Sequence, residues 1–227
     1  MRMTFGRIAM LVALGVWLSL TADGWSQSTA TASAKWEKDI RAFEQMDRTN
    51  PPPKNAVLFV GSSSIRLWKT LAEDFPKHRV INRGFGGSQV ADSVAFAERI
   101  ILPHQPRMVV VYAGDNDLAA GKSPTQVLAD FQALVGKIHG ALPATKIRYI
   151  AVKPSLKRQH LLEEVRETNR LIAEYCRQDK RLGFVDIATP MIGKDGYPRA
   201  EYFVADGLHM TAAGYQVWTR LVAKTLK

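Results

Sequence analysis

The chain has 227 residues and a formal net charge of +10 at pH 7, with 46% hydrophobic and 23% charged residues. This length supports one ordinary domain, and the composition excludes both a disordered chain and a protein with many membrane spans. The basic residues are scattered rather than massed, which indicates a solvated basic surface open to acidic glycans or an anionic cell envelope. We therefore expect no nucleic-acid partner.

The N-terminal segment has the composition of a secretory signal. Arg2 and Arg7 precede an uncharged run at residues 8–20, and small and polar residues follow as far as residue 34. The run is short for a membrane span, although an uncleaved anchor is the alternative interpretation. We expect residues 1–34 to be a signal peptide and flexible segment. The mature protein would then be periplasmic or extracellular, with no stable membrane insertion.

The rest of the chain alternates between helical and strand patterns. Residues 35–53 predict an N-terminal helix and a proline-rich connection, and residues 54–227 predict one domain. Predicted strands lie at residues 56–60, 80–81, 108–112, 147–152 and 184–187. Predicted helices lie at residues 65–73, 90–101, 124–142, 159–177 and 212–226, with Ser123 and Thr211 as N-caps. This α/β alternation predicts a five-stranded parallel sheet in a three-layer α/β/α sandwich.

Three serines follow the first predicted strand, in the sequence GSSS at residues 61–64. Ligands of such sheets bind at the carboxyl ends of the strands, so a hydroxyl here is a candidate nucleophile. Helix capping is the ordinary use of serine at this kind of junction. A serine hydroxyl is also a poor nucleophile unless a base removes its proton, so the chain must supply a base elsewhere.

The second predicted strand leads into a glycine-rich loop, NRGFGGS at residues 82–88. Its glycines allow a backbone amide to approach a substrate oxygen closely. A dinucleotide site is the competing interpretation, but the spacing lacks the third glycine of that fingerprint. The loop therefore favours a hydrogen-bonding role over nucleotide binding.

The third predicted strand ends in GDND at residues 114–117. Asn116 can donate a hydrogen bond to an oxyanion, while an Asx-type turn is the structural alternative. A hard-cation site built from Asp115, Asp117 and Asp206 is another alternative, but too few oxygen ligands can be assigned to it.

The last loop, DGLH at residues 206–209, supplies the base. Asp206 stands three residues before His209, so its carboxylate can hold one imidazole nitrogen while the other faces a serine. The other four histidines lie in connections or in helical patterns with polar neighbours, where surface placement explains them.

Together these four loops resemble the signature blocks of the SGNH hydrolases, also called the GDSL esterase/lipase family. The matching blocks are GSSS, NRGFGG, GDND and DGLH, and the resemblance covers residues 56–215. Any one block is weak evidence, but the order and spacing of all four are specific. The resemblance implies a flavodoxin-like carboxylic ester hydrolase that needs no metal and no organic cofactor.

The resemblance also implies a role for individual residues. Ser63 corresponds to the nucleophile, His209 to the base and Asp206 to the acid that orients it. The amides of Ser63 and Gly87 and the side chain of Asn116 correspond to the oxyanion hole.

One position departs from the family pattern. Ser62 stands where the family usually has aspartate. Ser62 and Ser64 therefore remain alternative nucleophiles.

Once the core elements are counted, little of the chain is left to form a lid over the site, and this bears on substrate preference. We expect a shallow site that removes short acyl groups, above all acetyl, from a carbohydrate or another small ester. Trp68, on the helix after Ser63, is a candidate for stacking on a sugar, with core packing as the alternative.

Three other functions stay open at this point. A lysophospholipase or thioesterase would use the same residues, and a secreted binding protein would keep the fold without turnover. A metal-dependent hydrolase would lose activity to a chelator. The sequence gives no oligomeric state.

Overall fold

The structure is a computed structural model that describes residues 34–227. Residues 1–33 of the predicted signal peptide and flexible segment, which was placed at residues 1–34, lie outside the described residues. Five parallel strands form one sheet in the spatial order β2-β1-β3-β4-β5. The strands are β1 (Val57–Gly61), β2 (Val80–Gly84), β3 (Met108–Tyr112), β4 (Lys146–Ile150) and β5 (Leu182–Val185). The predicted parallel sheet is confirmed.

Nine α-helices occur within residues 34–227. They are α1 (Glu37–Thr49), α2 (Ser63–Arg66), α3 (Leu71–Asp74), α4 (Val90–Ile100), α5 (Asp115–Ala119), α6 (Pro124–Ala141), α7 (Leu162–Cys176), α8 (Ala188–Met191) and α9 (Ala212–Ala223). Short 3₁₀ helices cover Ala34–Trp36, Leu102–His104, Leu156–Leu161 and Ala200–Tyr202. None of these helices is long and apolar enough to cross a membrane.

Two hydrophobic clusters, one on each face of the sheet, build the core. Side chains alternate between the faces of a strand, so Leu58 and Val60 enter one cluster, while Val57 and Phe59 enter the other. The first cluster joins the sheet to α1, α4, α6 and α7. The second joins it to α8, α9 and the α2–α3 segment. The three-layer α/β/α architecture is therefore confirmed.

Helix α1 packs beside α4 as the amphipathic pattern of residues 35–50 predicted. Its Ile40 is fully buried. Arg99 of α4 pairs with two carboxylates of α1, at 2.7 Å to Glu37 and 2.7 Å to Glu44. The helix is confirmed, while the domain boundaries stay a prediction.

Several element boundaries differ from the prediction, among them β5, which lies at Leu182–Val185 rather than at residues 184–187. The helix predicted at residues 65–73 is divided into α2 and α3, because the chain turns at residues 67–70 and inserts Trp68 into the core. Strand β4 ends at Ile150, two residues early. The amide and carbonyl of Val152 pair instead with the side chain of Asn169 on α7, at 2.7 and 2.9 Å.

Two helix N-caps agree with the prediction. The Ser123 hydroxyl accepts a hydrogen bond from the Gln126 amide at 3.2 Å, and Thr211 accepts one from the Gly214 amide at 3.3 Å. Each satisfies a donor that the helix itself leaves unpaired.

Candidate active site

The site lies where the strand order reverses, at the carboxyl ends of β1 and β3, which is the usual ligand position in doubly wound sheets. Ser63 follows β1, and Asn116 follows β3. The turn after β1 passes so close to β3 that a Cβ at Gly61 would lie 1.8 Å from the Tyr112 carbonyl oxygen. Glycine at this position, with φ +135°, allows the Ser62 amide to donate to that oxygen at 2.9 Å.

The structure brings Ser63, His209 and Asp206 together in one hydrogen-bonded chain. His209 Nε2 lies 3.0 Å from Ser63 Oγ, and His209 Nδ1 lies 2.5 Å from Asp206 Oδ2. The other carboxylate oxygen of Asp206 accepts hydrogen bonds from the amides of Leu208 and His209, at 2.8 and 2.9 Å. A carboxylate that holds Nδ1–H leaves Nε2 free to accept a proton from the serine.

Hydrogen bonds from neighbouring groups stabilise the negative charge of Asp206. Hydrogen bonds from the His209 amide, the His209 imidazole and the Leu208 amide hold the pKa of Asp206 well below its usual value. The side chain is 40% exposed, so water also solvates it. Asp206 is therefore an anion throughout the neutral pH range.

Three hydrogen-bond donors are available beside Ser63. Within residues 34–227, the amides of Ser63 and Gly87 donate to no other group. Asn116 Nδ2 donates to the Ser88 carbonyl at 3.0 Å, which uses one of its two hydrogens. These donors border the same cavity as His209.

A buried charge cluster holds Asn116 in place. Arg158 Nη2 donates to Asn116 Oδ1 at 2.8 Å, and Arg158 Nη1 lies 2.9 Å from Asp115 Oδ2. Lys153 Nζ donates to the same Asp115 oxygen at 2.9 Å. Burial opposes the ionisation of Asp115, but the two cations outweigh it and lower the pKa of the carboxyl. The Asn116 oxygen is thus committed to Arg158, and its NH₂ group keeps one hydrogen that is not used by the Ser88 carbonyl.

The two alternative nucleophiles are placed differently from Ser63. Ser62 and Ser64 are 1% and 2% exposed, and neither contacts His209. The structure therefore presents only the middle serine of the triplet to the imidazole.

Trp68 packs in the core, which was the alternative to stacking on a sugar, and does not line the cavity beside Ser63. Trp68 is 1% exposed and packs against Phe59, Phe75 and Trp218. Its Nε1 donates to Asp74 Oδ2 at 2.5 Å, so even its polar atom is turned away from substrate. The turn between α2 and α3 directs this side chain toward the sheet, where burying an indole is favourable.

Two residues that sequence reasoning did not assign to the site border it instead. The cavity has a volume of about 330 Å³, and Trp36 and Arg66 line it together with Ser63 and His209. The helical pattern identified Trp36 only as an apolar residue that packs on the domain. Arg66 lies three residues after Ser63 on α2, which places both on one face of the helix, but the helix predicted at residues 65–73 did not include Ser63.

The carboxylates considered for a hard cation are engaged separately. Asp115 pairs with Lys153 and Arg158, Asp117 pairs with Lys122 at 3.2 Å, and Asp206 pairs with His209. Within residues 34–227, no group of three or more His, Cys, Asp or Glu side chains is arranged to hold a metal ion.

Solved structures of similar fold place the protein in the class of α/β/α sandwiches. A GDSL-like lipase from Bacteroides thetaiotaomicron is 20% identical, with a TM-score of 0.70 over 82% of this chain and 96% of that chain. An acetyl-xylooligosaccharide esterase from Geobacillus Stearmophilus is 15% identical, with a TM-score of 0.61 over 75% of this chain and 94% of that chain. A Streptococcus pneumonia protein described as a platelet activating factor is 19% identical, with a TM-score of 0.76 over 91% of this chain and 100% of that chain.

The family is shown by the sequence itself. The model of the GDSL-like Lipase/Acylhydrolase family matches residues 19–217, and the chain belongs to this family. No curated protein matches the chain. Membership implies hydrolysis of esters, in agreement with the resemblance of the four loops.

Proposed function

We propose that the protein is an exported serine esterase in which Ser63 is the nucleophile, His209 the base and Asp206 the orienting acid. The observation that carries the proposal is the continuous chain from Asp206 through the imidazole to Ser63 Oγ, with contacts of 2.5 and 3.0 Å. Both distances are within the range in which a base can take the proton of a nucleophile.

In the first half of the reaction, His209 Nε2 takes the Ser63 proton while Oγ forms a bond to the ester carbonyl carbon. The negative charge moves to the carbonyl oxygen, where the amides of Ser63 and Gly87 and the Asn116 side chain stabilise it. The imidazolium then gives its proton to the departing alkoxide, which leaves as an alcohol. Asp206 stabilises the transient imidazolium without being protonated.

In the second half, water attacks the acyl-serine. His209 takes a proton from the water as its oxygen bonds to the acyl carbon, and the same donors stabilise the second oxyanion. The proton returns to Ser63 Oγ when the acyl–serine bond breaks, so the products are a carboxylic acid and the original enzyme. No cofactor enters either step.

We further propose acetyl groups on a carbohydrate as the natural substrate. The cavity of about 330 Å³ is at the small end of ligand sites and is open to solvent on its His209 side, which favours a short acyl group. Trp36 offers the aromatic surface that Trp68 does not. One structure of the same fold is that of an esterase of acetylated xylo-oligosaccharides, which makes this substrate class a reasonable first test.

The central experiment is labelling of the purified protein with a fluorophosphonate, followed by peptide mapping. We expect the label on Ser63, and we expect Ser63→Ala to abolish labelling and p-nitrophenyl acetate hydrolysis. Ser62→Ala is the matched control, because its hydroxyl lies one residue away but does not contact His209. A Ser63→Ala protein with full activity would overturn the assignment.

Substrate class needs a separate measurement. Acetate release from acetylated oligosaccharides should exceed the hydrolysis of p-nitrophenyl esters with acyl chains of eight or more carbons. The opposite order would favour a lysophospholipase or thioesterase at the same site.

Export is part of the proposal and rests on the sequence of residues 1–34. N-terminal sequencing of protein from the periplasm or medium should find a mature chain that begins near residue 34. If all of the protein were full-length and located in the cytosol, export would be contradicted, but the proposed esterase mechanism would be unaffected.

A further inference from the structure

The guanidinium of Arg66 packs against the Gly86 backbone in the wall of the active-site cavity. A Cβ built at Gly86 would lie 2.8 Å from Arg66 Nε and 3.0 Å from Cζ and Nη2, so the guanidinium rests directly on the Gly86 backbone. Gly86 is not among the glycines with positive φ. Its lack of a side chain therefore serves to make room for the guanidinium rather than to relieve backbone strain.

The positive charge of Arg66 has no partner within the described part of the chain. Arg66 is exposed, and its guanidinium has no hydrogen bond or ion pair with any group in residues 34–227. By contrast, Arg83, Arg99 and Arg158 each pair with a carboxylate. An arginine that faces a reaction cavity without a partner retains its full set of donors for a ligand.

The surroundings indicate where a ligand anion would lie. Gly86 precedes Gly87, whose amide is one of the proposed oxyanion donors, so Arg66 flanks the bond to be cleaved. A Cβ at Gly87 would lie 3.3 Å from the Trp36 ring, which forms the facing wall. Arg66 also borders a second cavity of about 530 Å³ between α1 and the α2–α3 segment. A ligand can thus continue past the guanidinium.

One negatively charged residue in the cavity opposes the binding of an anion. Asp39 lines the same cavity but is not within 4.0 Å of the guanidinium, so it does not neutralise Arg66 through a direct ion pair. Its charge weakens the attraction of an anion without removing the donors that the anion would use.

We propose that Arg66 binds the carboxylate of an acidic sugar, so that the preferred substrates are acetylated uronic acids and the glycans that contain them. This inference rests on the proposed esterase function and names its substrate class. Guanidinium and carboxylate pair through two parallel hydrogen bonds, which fixes the sugar as well as attracting it. Trp36 supplies an apolar surface for the sugar ring opposite the cation.

The test compares two substrates that carry one acetyl group on the same ring hydroxyl and differ at C6, the acetyl esters of methyl glucuronoside, with a carboxylate, and of methyl glucoside, with a hydroxymethyl group. We expect the wild-type kcat/KM to favour the acidic sugar by about 3- to 10-fold, as a partly exposed charged hydrogen bond allows. Arg66→Gln should remove that preference, because it should lower kcat/KM on the acidic sugar more than on the neutral sugar. Salt at 1 M should reduce the wild-type preference, because the guanidinium is open to solvent.

Arg220→Gln is the matched control. It removes the same charge from the exposed face of α9, outside the two cavities that Arg66 borders. A loss of preference in both variants would show a general effect of net charge and would overturn the proposal. So would equal wild-type rates on the two sugars, or an equal loss on both sugars in Arg66→Gln.

Two further outcomes separate this inference from the function on which it rests. If neither sugar is deacetylated while p-nitrophenyl acetate is hydrolysed through Ser63, the carbohydrate assignment fails and the catalytic one stands. If Arg66→Gln impairs hydrolysis of a lysophosphatidate more than that of the acidic sugar, the anion bound is a phosphate, and the uronate proposal is wrong.

Discussion

Asn116 depends on its neighbours for the orientation of its amide. A free amide can present either its oxygen or its NH₂ group, and only the NH₂ group can stabilise an oxyanion. Arg158 donates to Asn116 Oδ1 at 2.8 Å, and the Ser88 carbonyl accepts from Nδ2 at 3.0 Å. These two contacts select the orientation that the proposed mechanism needs, before any substrate binds.

This dependence gives the first prediction. Asn116→Ala should lower kcat on p-nitrophenyl acetate by about 100- to 1000-fold, the usual cost of one oxyanion donor. Arg158→Gln should lower kcat by about 10-fold with little change in KM, since the Asn116 donor remains but is no longer held. Steady-state kinetics on both variants and on the double variant measure the coupling.

The control for charge is Arg166→Gln, which removes an exposed arginine of α7 that pairs with Glu163. If Arg158→Gln slowed the Asn116→Ala enzyme as much as it slows the wild type, Arg158 would act independently of the amide, contrary to this prediction.

At the scale of elements, the position of Ser63, the proposed nucleophile, depends on contact between α2 and β2. The Asn82 side chain clamps both, as Nδ2 donates to the Ile65 carbonyl at 2.8 Å and Oδ1 accepts from the Gly84 amide at 2.9 Å. A Cβ at Gly84 would lie 2.2 Å from the Arg66 amide nitrogen. Helix α2 can approach the strand this closely only because residue 84 has no side chain.

Gly84→Ala should therefore separate α2 from β2. The contact is with backbone rather than with a movable side chain. We therefore expect the unfolding free energy to fall by at least about 3 kcal/mol, which corresponds to a decrease of about 6–12 °C in Tm. Gly136→Ala is the control. Nothing lies within 4 Å of a Cβ at this position in α6, so alanine should stabilise that helix by about 0.5–1 kcal/mol. Thermal melts that rank the two variants in the opposite order would contradict the close contact.

At the scale of the whole molecule, Asp117 links folding stability to pH. The carboxylate is fully buried, accepts from the Val90 amide at 3.2 Å and contacts Lys122 Nζ at 3.2 Å, which joins α4 to α5 and to the segment before α6. Burial raises the pKa of Asp117 to about 6, although Lys122 opposes the shift. The folded protein therefore binds this proton more tightly than the unfolded chain does.

The direction of the pH effect follows because the pKa of Asp117 is higher in the folded protein than in the unfolded chain. The contribution of Asp117 to stability is fully present below its unfolded pKa, near 3.8, and is lost as pH rises through about 6. We expect the unfolding free energy of the wild type, relative to Asp117→Asn, to decline between pH 4 and 6 by up to about 1.4 kcal/mol per pH unit. Urea unfolding at four pH values measures this difference. Glu98→Gln, which removes an exposed carboxylate, is the control for the loss of one negative charge.

The sequence by itself determined the periodic elements and identified candidate residues for the site. Hydrophobic runs and helical spacing predicted all five strands and the long helices, because period-2 and period-3.6 patterns are local properties of the chain. The loops GSSS, GDND and DGLH named residues that the structure does bring together, since the strand ends of a parallel sheet share one edge.

Tertiary structure decided what depends on packing between distant segments. It buried Trp68 against Phe59 and Trp218 and placed Trp36, from a helix before the first strand, over Gly87. It also brought Arg158 to Asn116 across a sequence separation of 42 residues. Both tryptophans satisfy the same apolar pattern, and only the path of the chain around the sheet determines which of them reaches the cavity.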